Sequence, residues 1–372
     1  MKIRLDQGAL FRELGLLQGI IEKKGTIPIL SNVLLEALEE GRLNIVATDL
    51  EVGFRSSIEA EVADPGKLAV NARRLNELAR KLLPGQVELR YDGASLHIVS
   101  ESFRSRLATQ DSDQFPTFRQ REGKPAALLA ADQLTDAVKR VIFAVTSDDP
   151  RYALGGALLE WNGDVATIVA TDGHRLSLSR RVGQNVSDKE IDKVVVPRKA
   201  LAELQRLGAE HDGDSYFWLE KSSLFAQFGE RELWTTLGET RFPDYRKVIP
   251  AGNDKVFEIG VSAFKSAIER VSVLSQENTR QIRLDLGTDM LKISVEQQQL
   301  GEAMEEIPIQ YSGEPLAIGF NAQYLLDFLN VAGTERVRVS LGREMGQGLF
   351  EPVREAGDTR DDKYVVMPMA LQ

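Results

Sequence analysis

The heptapeptide Ala170-Thr171-Asp172-Gly173-His174-Arg175-Leu176 has a partial copy in Ala47-Thr48-Asp49-Leu50, 123 residues earlier. A shared Thr-Asp pair carries little weight alone, but the flanking sequence repeats with it. SNVLLE ends at Glu36 and GGALLE at Glu160, with a looser third version, RQIRLDL, ending at Leu286. VNARRLNEL begins at Val70, VPRKALAEL at Val196 and FNAQYLLDF at Phe320, while Phe115-Pro116 returns as Phe242-Pro243. These landmarks keep one order and recur at offsets of 123 to 127 residues, close to 124, one third of the 372-residue chain. Self-similarity at a fixed period marks a chain assembled from like units. Three tandem copies are expected.

Each copy reads the same way. A short strand (2–5, 126–129, 256–259) leads into a helix with apolar residues at helical spacing: Leu10, Leu14, Leu17 and Ile21; Leu134, Val138, Val141 and Ile142; Phe264, Ile268, Val271 and Leu274. Asp6, Asp132 and Ser262 stand where N-caps are expected. Three strands follow, then a shorter helix (73–83, 198–207, 322–329), then three more strands, giving β-α-β-β-β-α-β-β-β in each copy. Two helices cannot cover both faces of so many strands, so they should gather on one side. The fold class is therefore α+β. Polar, Gly- and Pro-bearing stretches at 121–125 and 250–254 place domain boundaries that divide the chain into 1–123, 124–251 and 252–372.

Composition narrows the function. Hydrophobic content of 42% and charged content of 27% suit a soluble protein, and no apolar run approaches the length of a membrane helix. The N-terminus alternates apolar and charged residues, as a strand does, and lacks the apolar stretch of a signal peptide, so a cytoplasmic location is expected. Zero cysteines exclude disulfides, thiolate metal sites and thiol nucleophiles, and three histidines leave little for an imidazole cluster. No GxxxxGK[ST] loop is present, so any energy-consuming step belongs to a partner.

The net charge of −10 argues against an indiscriminately basic surface. Yet the six helical segments together carry +5 and the remainder −15. Two readings of Arg73, Arg74, Arg80, Lys81, Arg198, Lys199 and Arg206 stand open: solvated helix faces, or a surface that meets duplex backbone without reading sequence. Asp172 and His174 likewise admit two readings. One is a metal-dependent nuclease or hydrolase site; the other is a tight turn in which Asp caps and Gly173 takes the unusual backbone angles. Asp49 keeps the carboxylate without any histidine, which favours the turn. His97 and His211 read as structural. At the C-terminus a charged run, 355–363, is expected to be flexible, and Tyr364 to Met367 to close the last sheet. Pro368 stops that ladder, leaving Met369 to Leu371 trailing where they could meet partners.

Taken together, TIPILSN (26–32), ATDL, NARRL, RYAL, ATDGHRL, VPRKAL, RFPDYRKVIP (241–250), GFNAQYLLD and YVVMPM resemble one family across the whole chain: the bacterial sliding clamp, the beta subunit of DNA polymerase III. The resemblance implies three DNA-clamp domains per chain, helices inside and antiparallel sheets outside, and a head-to-tail homodimer closing a ring around duplex DNA. It implies a processivity factor that tethers the polymerase, without catalytic residues, metal or cofactor. Partners implied are DNA, a second copy, the polymerase III catalytic subunit, an ATP-dependent clamp loader and other polymerases and repair proteins that carry a clamp-binding motif. No membrane is involved.

By position, the resemblance also implies a partner-peptide cleft lined by Leu154, Thr171, Gly173, His174, Arg175, Leu176, Pro243, Val248, Tyr324, Val365, Val366, Met367, Pro368 and Met369. DNA contacts carried over fall on Lys24, Tyr152, Arg198 and Lys199, with Arg73, Arg80 and Arg206 added on charge. The dimer edge falls on Leu107, Val273 and Leu274. The chain departs from the pattern at Ser105, where a bulky apolar residue is usual, at Asp148, and at Ala370, which replaces a basic residue before the extra Gln372.

Overall fold

The computed structural model describes residues 1–22, 27–146, 155–186, 193–238, 242–297 and 301–371. Six α-helices are described: α1 Gln7–Leu16, α2 Ala72–Lys81, α3 Ala131–Val141, α4 Arg198–Ala209, α5 Val261–Val271 and α6 Ala322–Leu329. Each repeat runs strand, helix, a 3₁₀ turn (Leu17–Gly19, Ile142–Ala144, Ser272–Leu274), a group of strands, helix and three strands. The expected order is short of strands: three were expected between the two helices of each repeat, and five, five and four are described. Gly66–Asn71, Val194–Pro197 and Leu316–Asn321 each form a strand that enters the second helix directly. Their short apolar runs, such as Leu68, Ala69 and Val70, are buried on both faces, so they lack the alternation that marks a strand.

Capping explains where the helices begin. Asp6 accepts from the Ala9 amide at 2.8 Å, Asn71 from Arg74 at 3.0 Å, and Asn321 from Gln323 and Tyr324. Asp132 and Ser262 are not the caps expected of them. Helix α3 starts one residue earlier, leaving Asp132 in its first turn beside the positive end of the dipole, and α5 starts after Gly260 with Ser262 inside it.

The chain forms two compact units, residues 1–135, 184–191 and 199–238, and residues 136–183, 192–198 and 239–372. In the first, fourteen strands make one sheet, in which Val52–Glu59 pairs antiparallel with Arg231–Thr236. Sheet pairing therefore crosses the repeat boundaries, because the last strand of one repeat satisfies an edge of its neighbour. Helices α3 and α4 approach closely here: a Cβ on Gly208 would lie 2.5 Å from Thr135 Oγ1 and 3.0 Å from the Ala131 carbonyl, so only glycine fits.

The second unit holds a sheet of eight strands and one of four. In the eight-stranded sheet, Arg175–Val182 pairs antiparallel with Asp361–Val366, placing Leu176 opposite Val365. Phe264, Ile268 and Val271 of α5 and Leu325, Phe328 and Leu329 of α6 pack on Ile282, Leu284, Ile293 and Ile318 of the four-stranded sheet. Each such fully buried side chain contributes about 1.5–3 kcal/mol.

The charged run before the C-terminal strand is not the flexible segment its composition suggests. Arg354 pairs with Asp358 and Asp362, and Arg360 with Asp358. Opposite charges two to eight residues apart fold the run onto itself and onto the strand that follows.

Candidate functional site

The two Thr-Asp turns are built by one set of hydrogen bonds. Thr171 Oγ1 donates to the Arg175 carbonyl at 2.7 Å and accepts from the Gly173 amide at 3.2 Å, while Asp172 Oδ1 accepts from the His174 and Arg175 amides, both at 3.0 Å. In the earlier copy Thr48 Oγ1 donates to the Val52 carbonyl and accepts from Leu50, and Asp49 Oδ1 accepts from Glu51 and Val52. The third position takes a positive φ in both, +87° at Gly173 and +77° at Leu50. A side chain in that region is strained, and Leu50 is 45% exposed, so little burial offsets the cost.

These bonds leave the Asp172 carboxylate no free oxygen, since Oδ2 accepts from Arg175 Nε at 2.9 Å. The metal-site reading of Asp172 and His174 therefore gives way to the turn. Among the described residues no group of three or more His, Asp or Glu could hold an ion.

Arg175 organises what lies beyond the turn. Its Nη1 is 2.5 Å from Asp327 Oδ2, its Nη2 donates to the Phe143 carbonyl at 2.8 Å, and its guanidinium lies 4.4 Å from the Tyr324 ring centre. Burial opposes its charge, but Tyr364, Asp327 and Asp172 outweigh burial and hold the guanidinium further above its ordinary value. Burial likewise pushes the Tyr364 phenol up. Its hydroxyl donates to the Tyr324 carbonyl and its ring stacks on Phe328 with centres 5.0 Å apart.

Beside this hub lies a cavity of about 260 Å³, lined by Thr171, Gly173, Arg175, Leu176, Pro243, Tyr245, Val248, Val365 and Met367. Its wall is largely apolar, the chemistry of a site that takes hydrophobic side chains. Eight of these nine were singled out in the sequence. Tyr245 was not, although it belongs to the FPDY landmark. It is buried, with its hydroxyl 2.5 Å from Glu160 Oε1, and burial together with Glu160 raises its phenol.

Val366 is a correction: strand alternation turns it away from Val365 into the core formed with α5 and α6. His174 and Tyr324 stack beside the cavity with ring centres 6.4 Å apart, and Pro368 and Met369 continue the tail beyond it. Leu154 lies outside the described residues, as do Lys24, Asp148 and Tyr152.

The candidate DNA contacts differ in how free they are. Arg73 and Arg80 are exposed on α2, Arg73 Nε being 2.9 Å from Glu77, and Arg198, exposed at the start of α4, donates from Nη1 to the Val145 carbonyl at 3.4 Å. Lys199, in contrast, pairs with Asp49 and donates to the Ile20 carbonyl at 3.0 Å. Arg206 is engaged by Glu203 and by the carbonyls of Gly15 and Leu16 at the end of α1. Charge in the sequence marked Arg206 as available; its partners on another helix, invisible there, hold it back.

The candidate dimer residues sit beside open strand edges. Leu107 is half-buried in strand Phe103–Gln110, which among the described residues pairs on one side along 103–108 and with a different strand at Thr109 and Gln110. Val273 is 76% exposed, and Leu274 packs partly on the core next to strand Gly301–Pro308, the last strand of its sheet. Ser105 Oγ is buried without a hydrogen-bond partner among the described residues.

The described fold is thus a threefold repeat with exposed arginines on α2 and α4. Residues 1–119, 128–244 and 246–370 match the N-terminal, central and C-terminal domains of the DNA polymerase III beta subunit. The chain is 38% identical over 374 residues to the beta sliding clamp of Pseudomonas aeruginosa, covering 100% of both. A crystal structure of the Pseudomonas aeruginosa clamp bound to griselimycin is 37% identical with a TM-score of 0.93, and a clamp from Caulobacter crescentus 30% identical with 0.89, each covering 100% of both chains. The chain belongs to the family of DNA polymerase III beta subunits, the bacterial sliding clamps. It is a non-catalytic processivity clamp.

Proposed function

We propose that two copies of this chain close head to tail into a ring around duplex DNA, each contributing clamp domains at 1–123, 124–251 and 252–372. The cavity beside the Thr171–Arg175 turn carries the partner reading, because an apolar pocket flanked by an extended tail suits short linear peptides. Such peptides come from the polymerase III catalytic subunit, the ATP-dependent clamp loader and other polymerases and repair proteins. Arg73, Arg80 and Arg198 meet the DNA backbone first, and Lys199 and Arg206 join only if they leave their present partners. Lys24 and Tyr152 complete that set. We assign the protein to the cytoplasm, where duplex DNA and the polymerase are met; separately, among the described residues no helix is long and apolar enough to cross a membrane.

Charge complementarity supports the dimer. Strand 103–110 exposes Arg104 and Arg106 along its open edge, whereas strand 301–308 exposes Glu302 and Glu306 along its own. Pairing the two edges across copies would extend both sheets and satisfy both rows of backbone groups. Leu107 would then meet Val273 and Leu274 of the second copy.

Retention after loading tests the function as a whole. A ring slides off free ends, so protein loaded on linear DNA should be lost while protein on closed circles persists. Equal retention on both would overturn the encircling mode.

A further inference from the structure

The C-terminal tail is docked rather than trailing, and the docking depends on one missing side chain. Met367 donates its amide to the His174 carbonyl at 2.9 Å, beside the cavity. Two residues later Met369 donates to the Gly319 carbonyl at 2.8 Å, forming an antiparallel bridge with strand Leu316–Asn321. Pro368, between them, has no amide to offer, so the tail can change its neighbour at that residue. A third tie comes from Gln281, whose Nε2 donates to the Ala370 carbonyl at 2.8 Å. At the position where a basic side chain is usual, the backbone is therefore what is held.

Strand 316–321 is the end strand of its sheet, and the tail crosses it at Gly319. A Cβ at 319 would stand 2.7 Å from the Met369 carbonyl oxygen, 2.9 Å from Gln281 Nε2 and 3.0 Å from Leu371 Cδ2. The first of these is backbone, which cannot swing aside. Gly319 does not adopt a left-handed conformation, so alanine could take its backbone angles without strain. Space alone calls for glycine. Any side chain there would lift Met369 off the sheet edge and pull on Met367, one wall of the cavity, two residues away.

We infer that Gly319 is a positioning residue for partner-peptide binding: it touches no peptide, but its open surface seats the tail that fixes Met367 in the wall. This rests on the reading of the cavity as the peptide cleft. The test titrates a fluorescent peptide from the polymerase catalytic subunit against the full chain, Gly319→Ala and Gln281→Ala. Each is measured both intact and truncated after Met367.

Gly319→Ala should weaken the intact chain about tenfold and Gln281→Ala, which removes one hydrogen bond and leaves the strand's packing alone, about threefold. In the truncated chain neither substitution should matter further, because the tail they seat is gone. Unchanged affinity in both intact variants overturns the inference. So does a loss that persists after truncation, which would mean that position 319 acts through the strand. Failure of the unaltered chain to bind peptide would instead overturn the cleft reading and this inference with it.

Discussion

Arg181 Nη1 lies 2.9 Å from Asp362 Oδ1, with 1% of the arginine side chain and 4% of the aspartate exposed. The pair joins strand 175–182 to strand 361–366, the two strands that bring Leu176 and Val365 to the cavity. Asp362 also meets Arg140 at 3.2 Å, Arg354, and Ser179 at 2.7 Å, while Asp136 meets Arg140 at 3.0 Å and Arg181 at 2.6 Å. Arg140 in turn donates to the carbonyls of Val331 and Ala332 beyond α6.

The partners are unequal, and that asymmetry is testable. Asp362→Asn leaves three arginines short of their shared anion and should cost about 3–5 kcal/mol, since a buried charge without its partner is expensive. Arg181→Met should cost less, because Asp362 keeps Arg140 and Arg354. Thermal or denaturant unfolding of the two variants reads the difference; equal losses would show that the network does not act as drawn.

Acid should loosen the same region. Burial raises the Asp136 carboxyl, but Arg140 and Arg181 outweigh it and hold it below its ordinary 3.8. The Arg360 hydrogen bond does the same for Asp358, against burial. A carboxyl lowered on folding stabilises fully above its unfolded value and loses that contribution as pH falls through the folded one. Stability of this unit should therefore hold above about pH 4 and decline below it. Hydrogen exchange in strand 361–366 as a function of pH checks the sign.

The strained turn offers a gain. Leu50→Gly should raise stability by about 1 kcal/mol, because glycine takes a positive φ freely while an exposed leucine loses little burial on removal. A drop in the unfolding midpoint would show that Leu50 makes contacts worth more than its strain.

Interface strength should respond at Ser105. Its hydroxyl, buried and without a partner among the described residues, sits on the strand proposed to meet a second copy. Ser105→Leu should tighten the dimer about tenfold by adding apolar contact, measured by sedimentation over a dilution series. Glutamate at both Arg104 and Arg106 should dissociate it. If neither variant shifts the monomer–dimer balance, the strand pairing is misplaced.

Removing residues 367–372 should abolish binding of a polymerase-derived peptide while the dimer still forms. Normal affinity in that chain would sink the assignment of the cleft.

Period and motif order are written in the chain itself, so the sequence alone determined the threefold repeat and the six helices, although of the three expected caps only Asp6 holds its place. The Thr-Asp echo is explained at that level, since one side-chain hydrogen-bond pattern makes both turns. Tertiary structure decided what depends on neighbours far along the chain. Val366 turned inward because alternation along strand 361–366 gave Val365 to the cavity. Arg206 was drawn to the end of α1, 190 residues away, and the charged run 355–363 became ordered once Arg354 found Asp362. The ATDGHRL stretch shows the division within seven residues: Thr171 and Asp172 close their own turn, but Arg175 acquires its role only where Asp327 and Tyr324 approach it.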